Sequence, residues 1–288
     1  MTAPFCDFHL LQPSTVEAAV AARAGYPDAR YIAGGTDLLV NMRRGIGNAK
    51  TLIDLSGIDE LRAMEIREDG MTFGAGVSIA AIARNEFIAA NCRALAQAAG
   101  AIAGPAHRAM ATVGGNLCLD TRCIYYNQSE WWRNANGYCL KSRGDICHVA
   151  PQGHRCHAAF TGDLAPALLV LGAKIEIAGP QARRQIPLAD LYVEDGKAHL
   201  TLSEGELITA VHVPANQPPS AYGKIRIRAA IDFPLAGVAV ALAARNSVIS
   251  SLRIALTGTN SRPFLLAGTD ALVGQPVEEE LLQQIDRL

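Results

Sequence analysis

Short apolar runs alternate with helical stripes through the first half of the chain. Ser14 and Glu17 have the spacing of a capping box, in which a hydroxyl and a carboxylate satisfy the first amide donors of a helix. Val16, Ala19 and Val20 then share one face, and Gly25 stands where that helix should stop. A strand over 30–33 runs into Gly34-Gly35-Thr36-Asp37, a helix over 38–45 follows, and 51–55 reads as a buried strand. Asp69-Gly70 marks a tight hairpin between the short strands of 57–76. Ser78 is placed to cap one helix through Phe87, and an Ala-rich helix over roughly 92–101 is broken at Gly104-Pro105. Asp163 stands where an N-cap belongs, with Pro166 in the first turn of a helix that leads into a strand. From Gly179 onward the period becomes two: 199–215 and 222–230 flank a Pro-rich bend at 216–220, and further strands and a closing helix complete a sheet-plus-helix layer. The pattern predicts an α+β protein, with strand–turn–helix units in front and an antiparallel sheet behind.

Half of the 288 residues are hydrophobic and 18% are charged, so the chain can build a sizeable core and is not of disordered composition. A net charge of −1 gives no global field to recruit nucleic acid or an anionic membrane. No apolar run reaches the ~20 residues needed to span a bilayer. The first residues carry neither a basic segment nor a long apolar one, so the expected compartment is the cytoplasm, where thiols stay reduced.

Two paired-glycine turns are the first candidate chemistry. Bare backbone before a helix offers free N–H groups to a phosphate, and AGGTDLL and TVGGNLC both have that form. Either alone is weak; together they suit one extended, pyrophosphate-bearing ligand. No GxGxxG and no GxxxxGK[ST] is present, so neither a Rossmann dinucleotide site nor a P-loop is supported. No Ser/His/Asp order and no paired catalytic carboxylates stand out.

The second candidate is the segment 119–158, which separates TVGGNLC from the next helix. It holds both Trp of the chain and Cys123, Cys139, Cys147 and Cys156. No pair has CxxC spacing, which disfavours a zinc ribbon or finger, although His148, His154 and His157 keep a mixed Cys/His zinc site open. Four thiolates on one loop also meet the requirement of a [4Fe–4S] cluster. Buried free thiols are the third reading. Cys118, Cys6 and Cys92 read as structural, and Trp131-Trp132 as an apolar cover or a subunit contact.

AGGTDLL, TVGGNLC, GDLAPALLVLGAK and GELITAVHVP followed by KIRIR, in this order, resemble the FAD-binding subunits of the molybdenum hydroxylases, the xanthine oxidase and carbon monoxide dehydrogenase family. The likeness runs over essentially the whole chain. The insertion, with DTRC, NGYCLK, GDICHV and HRCHA, is similar to that of the β subunit of 4-hydroxybenzoyl-CoA reductase.

The resemblance implies an FAD-binding domain over 1–178, in subdomains of about 1–55 and 56–178 with the iron–sulfur insertion at 119–158, then a C-terminal flavoprotein domain over 179–288. It implies FAD contacts at Ile32, Ala33, Gly34, Gly35, Thr36, Asp37 and Leu38, and at Thr112, Val113, Gly114, Gly115 and Asn116. Ile102, Asp163, Ile208 and Lys224 would also touch FAD, and Cys123, Cys139, Cys147 and Cys156 would ligate a [4Fe–4S] cluster. The implied partners are a molybdopterin-binding α subunit and a γ subunit with [2Fe–2S] clusters, as a doubled αβγ complex fed by a ferredoxin-type donor. The implied reaction is reductive dehydroxylation of 4-hydroxybenzoyl-CoA to benzoyl-CoA. A related hydroxylase passing electrons to NAD or another acceptor, and a non-catalytic zinc-loop binding module, are the alternatives.

Overall fold

The computed structural model describes residues 7–288, so Cys6 lies outside the described residues. The front layer is a parallel sheet of β1 (His9–Leu11), β2 (Arg30–Ile32) and β3 (Thr51–Asp54), ordered β1-β3-β2. β3 is central, which is why its first three residues are all buried instead of alternating. Helices α1 (Val16–Gly25) and α2 (Leu38–Arg43) make the crossovers. Val16, Ala19 and Val20 of α1 pack on Ile53, Ile58 and Leu61. The N-cap is Thr15, one residue past Ser14: its hydroxyl accepts the Ala18 amide at 3.1 Å. Glu17 is therefore not needed at the helix start and accepts from Arg183 at 2.8 Å.

The middle layer contains β4 (Met64–Arg67), β5 (Gly70–Gly74) and helices α3 (Ile79–Arg84), α4 (Glu86–Asn91), α5 (Arg93–Ala101), α6 (Pro105–Met110), α7 (Val113–Leu117), α8 (Glu130–Ala135) and α9 (Leu164–Val170). Strands β6 (Lys174–Ala178), β7 (Arg183–Pro187) and β8 (Leu207–Pro214) follow, giving an antiparallel sheet ordered β4-β5-β8-β6-β7. The single helix expected after Ser78 is two. Asn85 ends α3, and its side chain accepts the Ile88 amide at 3.0 Å to start α4, because a short amide competes with the helical ladder.

The expected division at 178/179 falls between β6 and β7, which are paired partners in this sheet. Gly179-Pro180 opens a hairpin turn, closed by the Gly179 amide on Ala182 O at 3.1 Å. The chain leaves the sheet only after Pro214, at the Pro-rich bend.

The third layer, β9 (Ser220–Ile225), β10 (Ala236–Arg245), β11 (Val248–Thr257) and β12 (Phe264–Leu265), is antiparallel in the order β12-β11-β10-β9 and carries α10 (Glu279–Ile285). β10 sorts its residues by size. Ala239 and Ala241 face the main core, whereas Val240 and Leu242 pack with Ile254, Leu272 and Leu281 on the other side. Small residues let the sheet approach α9, every residue of which is buried. Among the described residues no helix is long and apolar enough to cross a membrane.

Candidate functional site

The fold brings the two glycine turns together. Gly34, just after β2, lies against the backbone before α7; a Cβ built on it would sit 1.9 Å from the Met110 carbonyl oxygen. Gly35 has φ +66°, the left-handed region in which glycine carries no penalty. The chain then enters α2, and the amides of Gly35, Thr36, Asp37 and Leu38 have no acceptor among the described residues. A helix start with free donors suits a phosphate, through both hydrogen bonding and the helix dipole.

The second turn differs from the bare loop expected. Thr112 caps α7, its hydroxyl accepting the Gly115 amide at 3.2 Å. The Val113 and Gly114 amides donate to Val77 O at 3.0 Å and Ala75 O at 2.7 Å. Gly114 is needed for close approach, since its Cβ would lie 2.8 Å from that of Ala75. Donor capacity is therefore concentrated in the first turn, with the second packed behind it. Asn116 also serves the helix beyond the insertion, since its side chain accepts the Leu164 amide at 3.0 Å and so caps α9.

Asp163 holds the N-cap position that the sequence assigns it, but its side chain makes no capping bond. Its backbone is already helical, and its carboxylate Oδ1 accepts from Tyr222 Oη at 2.7 Å and Lys224 Nζ at 2.8 Å. The Lys224 and Asp163 side chains are only 3% and 5% exposed. Burial pushes the Asp163 carboxyl above its ordinary range, against the pull of Lys224 and Tyr222. Ile102 and Ile208 are buried in the core that also takes Val113, Leu164 and Tyr222. Arg108 fixes the bend beyond α5, donating to Ile102 O at 2.7 Å and to the carbonyl of Ala103, whose φ is +39°.

The insertion hangs from a neck where Arg122 and Ala159 exchange backbone hydrogen bonds of 2.6 and 2.8 Å. Within it, Cys139, Cys147 and Cys156 are buried and Cys123 half-buried, all as free thiols. Cys156 is gripped from three sides. Its amide donates to Asp195 Oδ1 at 3.2 Å, its carbonyl accepts from Ser261 Oγ at 3.1 Å, and its sulfur accepts the Ala158 amide at 3.4 Å. Burial raises the Cys156 thiol; the Ala158 amide and Lys141 pull it down, and Cys147 and Cys123 add to the rise.

Lys141 ties the loop to the body, donating to Asp120 Oδ1 at 2.6 Å, Gly196 O at 2.9 Å and the hydroxyl of Thr121. Arg133, also buried, donates to Gly45 O at 2.9 Å and Gln128 O at 3.0 Å. Helix α8 sits inside the insertion, capped by Ser129, with Trp131 77% exposed. Burial pushes Cys118 up to about 12 and Cys92 up to about 11, as befits packed thiols. Among the described residues no three His, Cys, Asp or Glu side chains converge to hold a single metal ion, and His148 bonds instead to Tyr138 O at 2.7 Å.

Residues 6–216 match the FAD binding domain in molybdopterin dehydrogenase, and residues 220–288 the CO dehydrogenase flavoprotein C-terminal domain. The chain belongs to the FAD-binding subunits of the molybdenum hydroxylase family. It is 35% identical over 278 residues to the aldehyde oxidoreductase FAD-binding subunit PaoB of Escherichia coli K12, covering 90% of this chain and 83% of that one. It is 29% identical over 292 residues to the carbon monoxide dehydrogenase medium chain of Hydrogenophaga pseudoflava, covering 98% and 85%. A solved structure of carbon monoxide dehydrogenase from that organism superposes with a TM-score of 0.78 at 25% identity, over 97% of this chain and 85% of that one. The layers described above are thus the FAD-binding domain and the flavoprotein C-terminal domain of this family.

The donor geometry of this flavin subunit fits its cofactor: unpaired amides over 35–38 suit a pyrophosphate. Sequence reasoning missed Arg122. Its guanidinium pairs with Asp37, inside the first glycine turn, and lies 3.4 Å from Asn41 Oδ1 and 4.7 Å from the Phe233 ring centroid. Burial lowers it to about 10. The only hint was an arginine beside Cys123 in DTRC. Asp195, Gly196 and Ser261, which grip the far end of the insertion, carried no signal at all.

Proposed function

We propose that this flavin subunit also carries a [4Fe–4S] cluster on Cys123, Cys139, Cys147 and Cys156, and serves as the electron relay of a cytoplasmic molybdenum enzyme. The observation that carries the reading is the set of four free thiols sequestered on one insertion, one of them accepting an amide N–H at its sulfur. Such bonds tune cluster thiolates. The cubane asks each thiolate for a different iron, so its ligands need not converge on one point as zinc ligands must. FAD and the cluster, when bound, supply one- and two-electron redox chemistry.

The chain's own residues do the rest. The amides of residues 35–38 hold the pyrophosphate, and Thr112–Asn116 brace them from behind. Asp163 fixes Lys224, which stands by to stabilise negative charge on the reduced flavin. Ile102 and Ile208 supply apolar contacts. Lys141, Asp195 and Ser261 fix the cysteine loop.

The partners in this reading are a molybdopterin-binding subunit and a [2Fe–2S] subunit in a doubled heterotrimer, which the names "medium chain" and "medium subunit" among the relatives support. The reaction is reductive removal of the phenolic hydroxyl of 4-hydroxybenzoyl-CoA as water, with electrons from a ferredoxin-type donor. The similarity of the insertion to that of 4-hydroxybenzoyl-CoA reductase supports it. The 35% identity to an aldehyde oxidoreductase subunit favours a second reading, a hydroxylase running oxidatively toward NAD or another acceptor. In the assembled complex, flavin reduction by reduced ferredoxin supports the first reading. Re-oxidation of reduced flavin by NAD, without reaction with ferredoxin, overturns it in favour of the second.

Replacement of Cys139 by Ser separates the two cofactors. The neck pair of Arg122 with Ala159 and the Gly34 contact do not involve Cys139. The variant should lose iron while keeping a full complement of FAD, measured by iron analysis and flavin absorbance. Parallel loss of both would count against separable sites.

A further inference from the structure

A carboxylate inside a pyrophosphate cradle poses an electrostatic problem. Asp37 belongs to the first glycine turn, and an anionic side chain there would repel the ligand that the free amides attract. The structure answers it with a residue from the insertion. The Arg122 guanidinium pairs with Asp37 Oδ1, and Asn41 Nδ2 donates to Asp37 Oδ2 at 3.0 Å, so both carboxylate oxygens are engaged. Arg122 is fixed in turn by its backbone pairing with Ala159 and by the face of Phe233 from the C-terminal domain.

We infer that Arg122 is a positioning residue for the flavin: it cancels the charge of Asp37 and turns that carboxylate away, leaving the amides of residues 35–38 to meet the phosphates. The inference deepens the flavin reading and rests on it. It also gives the neck of the insertion a role separate from that of the cysteines. Asp37 is reached by the entering segment of the neck, where Arg122 directly precedes Cys123, while Cys156 lies on the returning segment, so a single loop serves both cofactor sites.

The test uses the full chain in its complex, stripped of flavin and titrated with FAD at low and high salt. R122Q should weaken FAD binding on the order of tenfold at low ionic strength, the scale of one uncompensated charge near a surface. The deficit should narrow at high salt, where the charge of Asp37 is screened. Iron content should not change, and R122K should bind nearly as wild type. The deciding variant is D37N/R122Q, which removes both charges and should recover FAD affinity.

R122Q binding FAD like wild type, or D37N/R122Q binding no better than R122Q, would overturn the inference and reduce Arg122 to packing. If R122Q is not recovered folded, D37N/R122Q still decides: near-normal affinity supports the charge account and a persisting deficit overturns it. Failure of the wild-type chain to take up FAD would be a failure of the flavin reading itself.

Discussion

Gly34→Ala should abolish retention of FAD and lower the stability of the chain by about 2–3 kcal/mol, at the upper end of overpacking costs. The added methyl would lie 1.9 Å from the Met110 carbonyl oxygen and 2.5 Å from its carbon, and backbone cannot rotate aside as a side chain can. The two glycine turns must separate, and the amides over 35–38 lose the support that aims them. Gly115, in the second turn, is more forgiving. Its Cβ would meet only the Thr112 hydroxyl, at 3.1 Å. Urea unfolding with flavin content read on the same samples checks the ranking. A Gly34→Ala protein with full flavin and an unchanged midpoint would refute the interlocked turns.

Lys224→Met carries the other large effect. It leaves Asp163 buried with Tyr222 as its one side-chain donor among the described residues, and removing one member of a buried ion pair costs about 3–5 kcal/mol. The pH dependence has a definite sign. Burial raises the folded-state carboxyl of Asp163 above its unfolded value, and loss of Lys224 removes a pull in the opposite direction, so the variant raises it further. A carboxyl raised on folding takes up a proton, and the penalty for keeping it ionised is present above its folded-state pKa and relieved as pH falls through it. The deficit of Lys224→Met against wild type should therefore shrink between neutral pH and the ordinary carboxylate range. Asp163→Asn in the same background should recover part of the loss at neutral pH. A deficit that does not vary with pH would show that lost packing, not the stranded charge, sets the cost.

What could be read from the sequence depended on how far each signal reached along the chain. β3 announced itself by an unbroken apolar run, and α3 by Ser78, whose hydroxyl accepts the Ala81 amide at 3.1 Å; both are local signals. Local ambiguity explains the near misses: Ser14 and Thr15 are equally good caps in isolation, and the first turn of α7 looks like a loop because two glycines disguise it. Asp163 stands at the N-cap position expected of it, and what its side chain does was hidden for a different reason. Its partners, Tyr222 and Lys224, come from the third layer, and the capping bond it does not make is supplied by Asn116 from α7. The alternation of β8 identified a strand but not its neighbours, so its insertion between β5 and β6 had no signature. Arg122 and Asp37 are joined across 85 positions, and only the fold reveals that pairing.

Metal, sulfide and flavin analysis of the anaerobically purified chain decides whether the insertion holds a cluster beside the flavin. A [4Fe–4S] cluster on the four cysteines gives about four iron and four acid-labile sulfide per chain beside one FAD. One FAD with zinc, or with no metal, would contradict the cluster and leave the insertion a purely structural element of an ordinary flavin subunit.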